Sequence, residues 1–208
     1  MEILFEVKNS TGVITLSRPK ALNALNLNMA IQLSKKLKEW EDDNAVERVI
    51  LLGEGNHFCA GGDVKSVHLS GPFSELKREF FSKEYSLNLQ IKNFPKPYLS
   101  IWKGVVMGGG VGLSIYGDYR IATDSTKFAM PETSIGFFPD VGASFFLSRM
   151  ENNIGKYLGL TGELIQCKDL LNFNFLCWPL TLTTTGTLAP PKARTIFFSS
   201  LFSSKPIT

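Results

Sequence analysis

The residues best placed to do chemistry are two acids in an apolar setting. Glu132 and Asp140 are the only carboxylates between Phe128 and Leu147, a stretch of Phe, Met, Ile, Pro and Ala. A carboxylate in such surroundings is costly unless partnered, and desolvation raises its pKa. That poise suits a general acid, a general base or a nucleophile. The structural alternatives are a helix cap for Glu132 and a solvent-facing loop for Asp140.

Two glycine-rich segments could complement such acids. Gly104-Val-Val-Met-Gly-Gly-Gly-Val-Gly112-Leu-Ser114 and His57-Phe-Cys-Ala-Gly-Gly-Asp63 each follow a predicted strand. Glycine lets a backbone N–H approach a ligand without a Cβ in the way. One amide from each loop, aimed at a common oxygen, would form an oxyanion hole for charge that develops in the transition state. A tight packing turn is the plain alternative. A dinucleotide fingerprint fails because Leu113 and Ile115 stand where a third glycine is required, and no Lys-Ser/Thr follows for a P-loop.

Nucleophilic serine and cysteine chemistry finds little support. GxSxG is absent, and His57 and His68, the only histidines, both precede Ser114. Cys59 reads as a small buried residue, since no acidifying neighbour is evident. The histidines read as structural or exposed.

These residues must be held by ordinary elements. Val13–Leu16, Arg48–Leu52, Tyr98–Trp102 and Tyr119–Thr123 are short aliphatic or β-branched runs, predicted as strands. Met29, Leu33, Leu37 and Trp40 recur at helical spacing among lysines and predict an amphipathic helix. Glu79–Ile91 predicts a second helix, ended before Pro95 and Pro97. Strands alternating with helices imply an α/β fold.

Composition narrows the classes. Of 208 residues, 44% are hydrophobic and 20% charged, which supports a packed core and excludes wholesale disorder. A net charge of +3 gives no reason to expect a nucleic-acid or membrane-surface partner. Three cysteines without CxxC spacing and two histidines make a disulfide scaffold and a metal site unexpected. No apolar run is long enough to span a bilayer, and the N-terminus does not read as a signal or transit peptide. An intracellular, reduced chain is therefore expected. Composition changes near residue 168: Leu170 to Pro191 carry no charge, and TLTTTGTLAPP follows neither a helix nor a strand period. The expected organisation is a core over 1–166 and a divergent, low-charge tail over 167–208, read as disordered or as a splice or reading-frame product.

Taken together, Arg18-Pro-Lys-Ala-Leu-Asn-Ala-Leu25, Phe58-Cys-Ala-Gly-Gly-Asp63, Lys96-Pro97, the 104–112 glycine segment and Pro131-Glu132 resemble the crotonase (enoyl-CoA hydratase/isomerase) superfamily. The resemblance spans roughly residues 5–165 and implies a spiral of ββα units, incomplete at the C-terminus. It implies that the amides of Gly62 and Gly109 grip an acyl-CoA thioester oxygen, with Arg18–Leu25 and Ala60–Asp63 along the CoA moiety. Coenzyme A belongs to the substrate, so no separate cofactor or metal is expected.

Gly112 stands where hydratases of the superfamily carry a glutamate, and Asp140 where they keep a glycine. MPETxIGxFPDVG, with Glu84-Tyr85 upstream, is similar to the 3-hydroxyisobutyryl-CoA hydrolase branch. That branch implies hydrolysis of a short hydroxyacyl-CoA in valine catabolism, with Glu132 and Asp140 catalytic and Glu84, Gly62 and Gly109 binding substrate. A hydratase or isomerase, or an inactive truncated form, is the alternative. Relatives imply a mitochondrial or peroxisomal home, and self-association into a homo-oligomer stays open.

Overall fold

The computed structural model describes residues 1–173 and 175, and the backbone of 178–180. Its main sheet opens with a hairpin of β1 (Ile3–Lys8) and β2 (Thr11–Leu16), paired antiparallel with Ile3 opposite Leu16. The chain then crosses over through α1 (Leu27–Asp42) to β3 (Arg48–Gly53), which lies parallel to β2. A second crossover, through α2 (Val64–Leu69) and α3 (Glu75–Lys92), leads to β4 (Tyr98–Trp102), parallel to β3.

A small sheet begins with β5 (Val105–Met107), followed by the one-turn α4 (Gly109–Gly112). The chain returns to the main sheet at β6 (Tyr119–Thr123), beside β4. It then supplies β7 (Lys127–Ala129), parallel to β5. Three short helices follow: α5 (Ala143–Leu147), α6 (Ile154–Thr161) and α7 (Cys167–Asn172). β8 (Ile165–Gln166) closes the small sheet, and β9 (Trp178–Leu180) joins the main one beside β6. The main order is β1-β2-β3-β4-β6-β9 and the small one β5-β7-β8.

Local chemistry explains the elements that position the site. Asn26 caps α1 by accepting from the Met29 amide at 2.9 Å, and Met29, Leu33, Leu37 and Trp40 form its buried stripe. The second predicted helix begins earlier than expected, because Ser74 caps α3 through the Leu76 amide and adds a turn before Glu79. The buried residues of α3 are Phe80, Glu84, Leu87, Asn88 and Ile91. Among the α-helices of the described residues, α3 alone buries polar side chains of this kind, Glu84 and Asn88.

The core continues past residue 166. Leu170 of α7 is fully buried, and Phe175 packs edge-on against Phe128, 5.1 Å between ring centroids. The rest of the segment expected to form a low-charge tail, including TLTTTGTLAPP, lies outside the described residues. No helix among the described residues is long and apolar enough to cross a membrane.

Candidate active site

The site is assembled where strands of both sheets deliver their following loops, the usual place for ligand contacts in parallel sheets. The loop after β3 is clamped by the Arg18–Leu25 segment. Asn23, fully buried in the left-handed region at φ 57°, donates to the carbonyls of Glu54 and His57 and accepts from the Arg18 amide. The Leu25 amide donates to the Gly61 carbonyl, and the Asp63 amide donates to the Leu25 carbonyl. The Arg18 guanidinium is fully engaged, by Glu2, Asp63 and the Ala24 carbonyl.

Against this fixed loop lies the glycine triplet after β5. Gly108 has φ 47°, and a Cβ built on it would stand 2.8 Å from Glu132 Oε1, so both backbone shape and the neighbouring acid require glycine. A Cβ on Gly109 would stand 2.9 Å from the Gly62 nitrogen and 2.3 Å from Glu84 Oε1. The two loops therefore meet at Gly62 and Gly109, beside a carboxyl. Neither amide donates to an acceptor among the described residues. Phe80 packs beneath Gly62, about 3 Å from where its Cβ would be.

Three acids surround the pair. Glu84 projects from α3 and is 2% exposed, with no hydrogen-bond partner for Oε1. Burial, then the charges of Asp140 and Glu132, push it up to about 8. Glu132 sits on a single 3-10 turn, Pro131–Ile135, ended by Gly136 in the left-handed region. It is buried, its Oε2 has no partner, and burial raises it to about 7. Asp140, in the loop before α5, accepts from the Tyr85 hydroxyl at 2.7 Å. Burial raises its pKa, and the Tyr85 bond partly offsets that rise.

Every residue singled out from sequence and resemblance is thus gathered here: Glu84, Glu132, Asp140, Gly62 and Gly109. Neither plain alternative for the acids describes the result: Glu132 is buried without capping a helix, and Asp140 is half-buried and bonded to Tyr85. Sequence reasoning missed Tyr85 as Asp140's partner, and Asn88, one helical turn beyond Glu84. The i, i+4 spacing of Glu84 and Asn88 on a helix was the available signal for the latter.

The residues set aside stay aside. Cys59 is fully buried, and its thiol is pushed up to about 12 by that burial. His57 Nδ1 accepts from the Val105 amide, and His68 is exposed on α2. Ser114 donates back to the Gly110 carbonyl. Among the described residues no three His, Cys, Asp or Glu side chains are grouped so as to hold a metal ion. The arrangement can polarise a carbonyl with two amides while a carboxylate of near-neutral pKa delivers water or attacks.

Comparison with known proteins fits this geometry. The model for enoyl-CoA hydratase/isomerase matches residues 11–179. The chain belongs to the enoyl-CoA hydratase/isomerase family. Among curated members, it is 48% identical over 171 residues to the mitochondrial 3-hydroxyisobutyryl-CoA hydrolase of Danio rerio, covering 81% of this chain and 45% of that one. Among solved family structures, an enoyl-CoA hydratase from Rhodobacter sphaeroides superposes with a TM-score of 0.84 at 35% identity, over 93% of this chain and 61% of that one. A carnitinyl-CoA dehydratase from Mycobacterium thermoresistibile gives 0.82 at 42% identity, over 85% and 53%. The chain spans less than half the length of the curated relatives it matches. The family assignment agrees with the expected crotonase-like α/β fold.

Proposed function

We propose that the chain hydrolyses the thioester of a short hydroxyacyl-CoA, with 3-hydroxyisobutyryl-CoA, an intermediate of valine breakdown, as substrate. The observation that carries this reading is the meeting of two unpaired amides, Gly62 and Gly109, with buried acids of raised pKa. The thioester oxygen accepts from both amides, which stabilise the negative charge of the tetrahedral intermediate. Glu132, partly ionised near neutrality, removes a proton from water as the water attacks the carbonyl carbon. In the alternative route its carboxylate attacks directly, expelling CoA thiolate and leaving an anhydride that water then opens. Both routes yield the free acid and the CoA thiol, and neither calls for a metal or a separate cofactor.

Asp140 receives the substrate hydroxyl, and Glu84, held neutral, orients the same end of the acyl group. Phe81 stacks on Phe137, 5.9 Å between centroids, and lies against Tyr85, the partner of Asp140. The names of several relatives support a mitochondrial location. Addition of water to a double bond, the reaction of the hydratase relatives, is disfavoured: the space a side chain at 112 would need is filled by Asn88 and by the Val141 Cβ.

Free thiol release from 3-hydroxyisobutyryl-CoA, strongly reduced in Glu132→Gln, tests the proposal, and absence of thiol release from every acyl-CoA tried overturns it. Oxygen-18 entering Glu132 in a single turnover selects the anhydride route, and label confined to the product acid selects the base route. Consumption of crotonyl-CoA without thiol release would point instead to a hydratase.

A further inference from the structure

Asn88 is 5% exposed on α3, yet neither its amide nitrogen nor its amide oxygen has a hydrogen-bond partner in the protein. Buried polar groups are normally satisfied, because an amide taken out of water without a partner loses its hydrogen bonds. The amide abuts Gly112: a Cβ there would lie 2.9 Å from Nδ2 and 3.0 Å from Oδ1. One turn earlier on α3, Glu84 Oε1 abuts Gly109 in the same way and is also unpaired. Helix α4 thus presents its first and last glycines to two orphaned polar ends, four residues apart on one face of α3.

We propose that Asn88 is a positioning residue for Glu84, holding its carboxyl through one shared buried water and so fixing how that carboxyl faces Gly109. The Cβ atoms at i and i+4 on a helix lie about 5–6 Å apart, so two side chains projecting from one face bring their polar ends within reach of a single bridging water. A buried water typically serves two to four otherwise unsatisfied groups, and Glu84 Oε1 with both ends of the Asn88 amide fills that need.

The titratable groups facing Glu84 are Asp140, Glu132 and Cys59, with Tyr85 adjoining through Asp140. Helix α4 contributes no titratable side chain, the side chains of Lys65 and His68 on α2 are exposed, and α1 bonds to α3 through Ser34 and Gln90. The inference deepens the substrate-orienting role given to Glu84 above and rests on that reading for its consequence in catalysis.

The test is a carbon-13 NMR titration of the Glu84 carboxyl in the full 208-residue chain, assigned by its loss in Glu84→Gln. Asn88→Leu replaces the amide and its water with a bulkier apolar side chain of the same branching, which deepens desolvation. The Glu84 transition is expected to move up by about one pH unit. Asn88→Ala, which removes the amide that holds the water, should also move the transition and serves if the leucine variant does not fold. Leu87→Ala, on the core side of the same helix, should lower the melting temperature and leave that transition in place.

An unmoved transition in the Asn88 variants, or an equal shift in Leu87→Ala, overturns the proposal. So does a crystal structure with the Asn88 amide bonded away from Glu84, whereas a water within about 3 Å of both groups supports it. Failure of the wild-type chain to cleave any thioester would remove the hydrolase reading and leave the titration result standing, so the two can fail separately.

Discussion

Two polar regions lie side by side in this molecule and are treated in opposite ways. Around Arg18, Asn23 and Asp63 every side chain is paired: Asn23 makes three hydrogen bonds, and Arg18 joins Glu2, Asp63 and a carbonyl. Although burial works against it, the Ser66 amide and Arg18 hold Asp63 below its ordinary pKa. A few residues away, Glu84, Asn88 and Glu132 keep buried atoms without partners, and both glutamates are pushed up. The first region is finished by the fold itself. The second is left with hydrogen-bonding capacity that a substrate can use, and the raised pKa values of its glutamates are the consequence.

The contrast is broken most sharply at Glu132. Glu132→Gln should reduce thioester cleavage by about 10³-fold, as measured by thiol release. Its melting temperature at pH 8 should be no lower than wild type, since the substitution removes a buried charge without removing a pair. On the paired side, Asn23→Ala strands two carbonyls and one amide at once. It should cost roughly 2–4 kcal/mol, read as a loss of about 5–12 °C in thermal melts. Activity should fall with it, because the loop carrying Gly62 is anchored there.

Acidity sharpens the same comparison through opposite signs. A carboxyl raised in the folded state favours folding below its unfolded pKa, and that benefit is lost as pH climbs through the folded value. For Glu84 the window runs from about 4.5 to about 8, and for Glu132 from about 4.5 to about 7. Wild-type melting temperature should therefore decline between about pH 5 and 8.5, and Glu84→Gln should flatten much of that decline. Asp63 runs the other way: its folded pKa is depressed, so its contribution is present above the unfolded value and lost as pH falls below about 4. Asp63→Asn should lower stability at neutrality by about 1 kcal/mol and weaken the acid-side loss, in thermal melts across pH.

Periodicity and β-branching made part of this architecture legible. The stripe Met29, Leu33, Leu37 and Trp40 defined α1, and the apolar runs at 98–102 and 119–123 coincide with β4 and β6. The strand β1 went unread because it is an edge strand whose Leu4 and Val7 face solvent, which blurs the alternation. The strand β5 is three residues long and hidden inside the glycine-rich segment, where turn signals dominate. Glu132 and Asp140 stood out as acids among apolar neighbours, whereas Glu84 came from family resemblance alone. Applying the helical period to α3 would have exposed it, since Glu84 and Asn88 fall in register with Phe80, Leu87 and Ile91. Tyr85 gave no such signal, because its role depends on a partner 55 positions away.

Tyr85 is the one place where the two regions blend, since it gives an acid of the unpaired site a single partner. Its hydroxyl donates to Asp140 Oδ2, which stabilises the ionised carboxylate against the burial that raises it. Tyr85→Phe keeps the ring packed against Phe81 and removes only the donor. Asp140 should then titrate higher, by about half to one pH unit, visible as an upward shift of the acidic limb of kcat/KM. The accompanying loss at pH 8 should be less than about tenfold, since a hydrogen bond to a charged group contributes about 1.5–3 kcal/mol and the substrate hydroxyl replaces part of it. A loss as large as that of Glu132→Gln would mean that the Tyr85 hydroxyl itself touches the reacting atoms. An unchanged limb would mean that Asp140 acts in its neutral form.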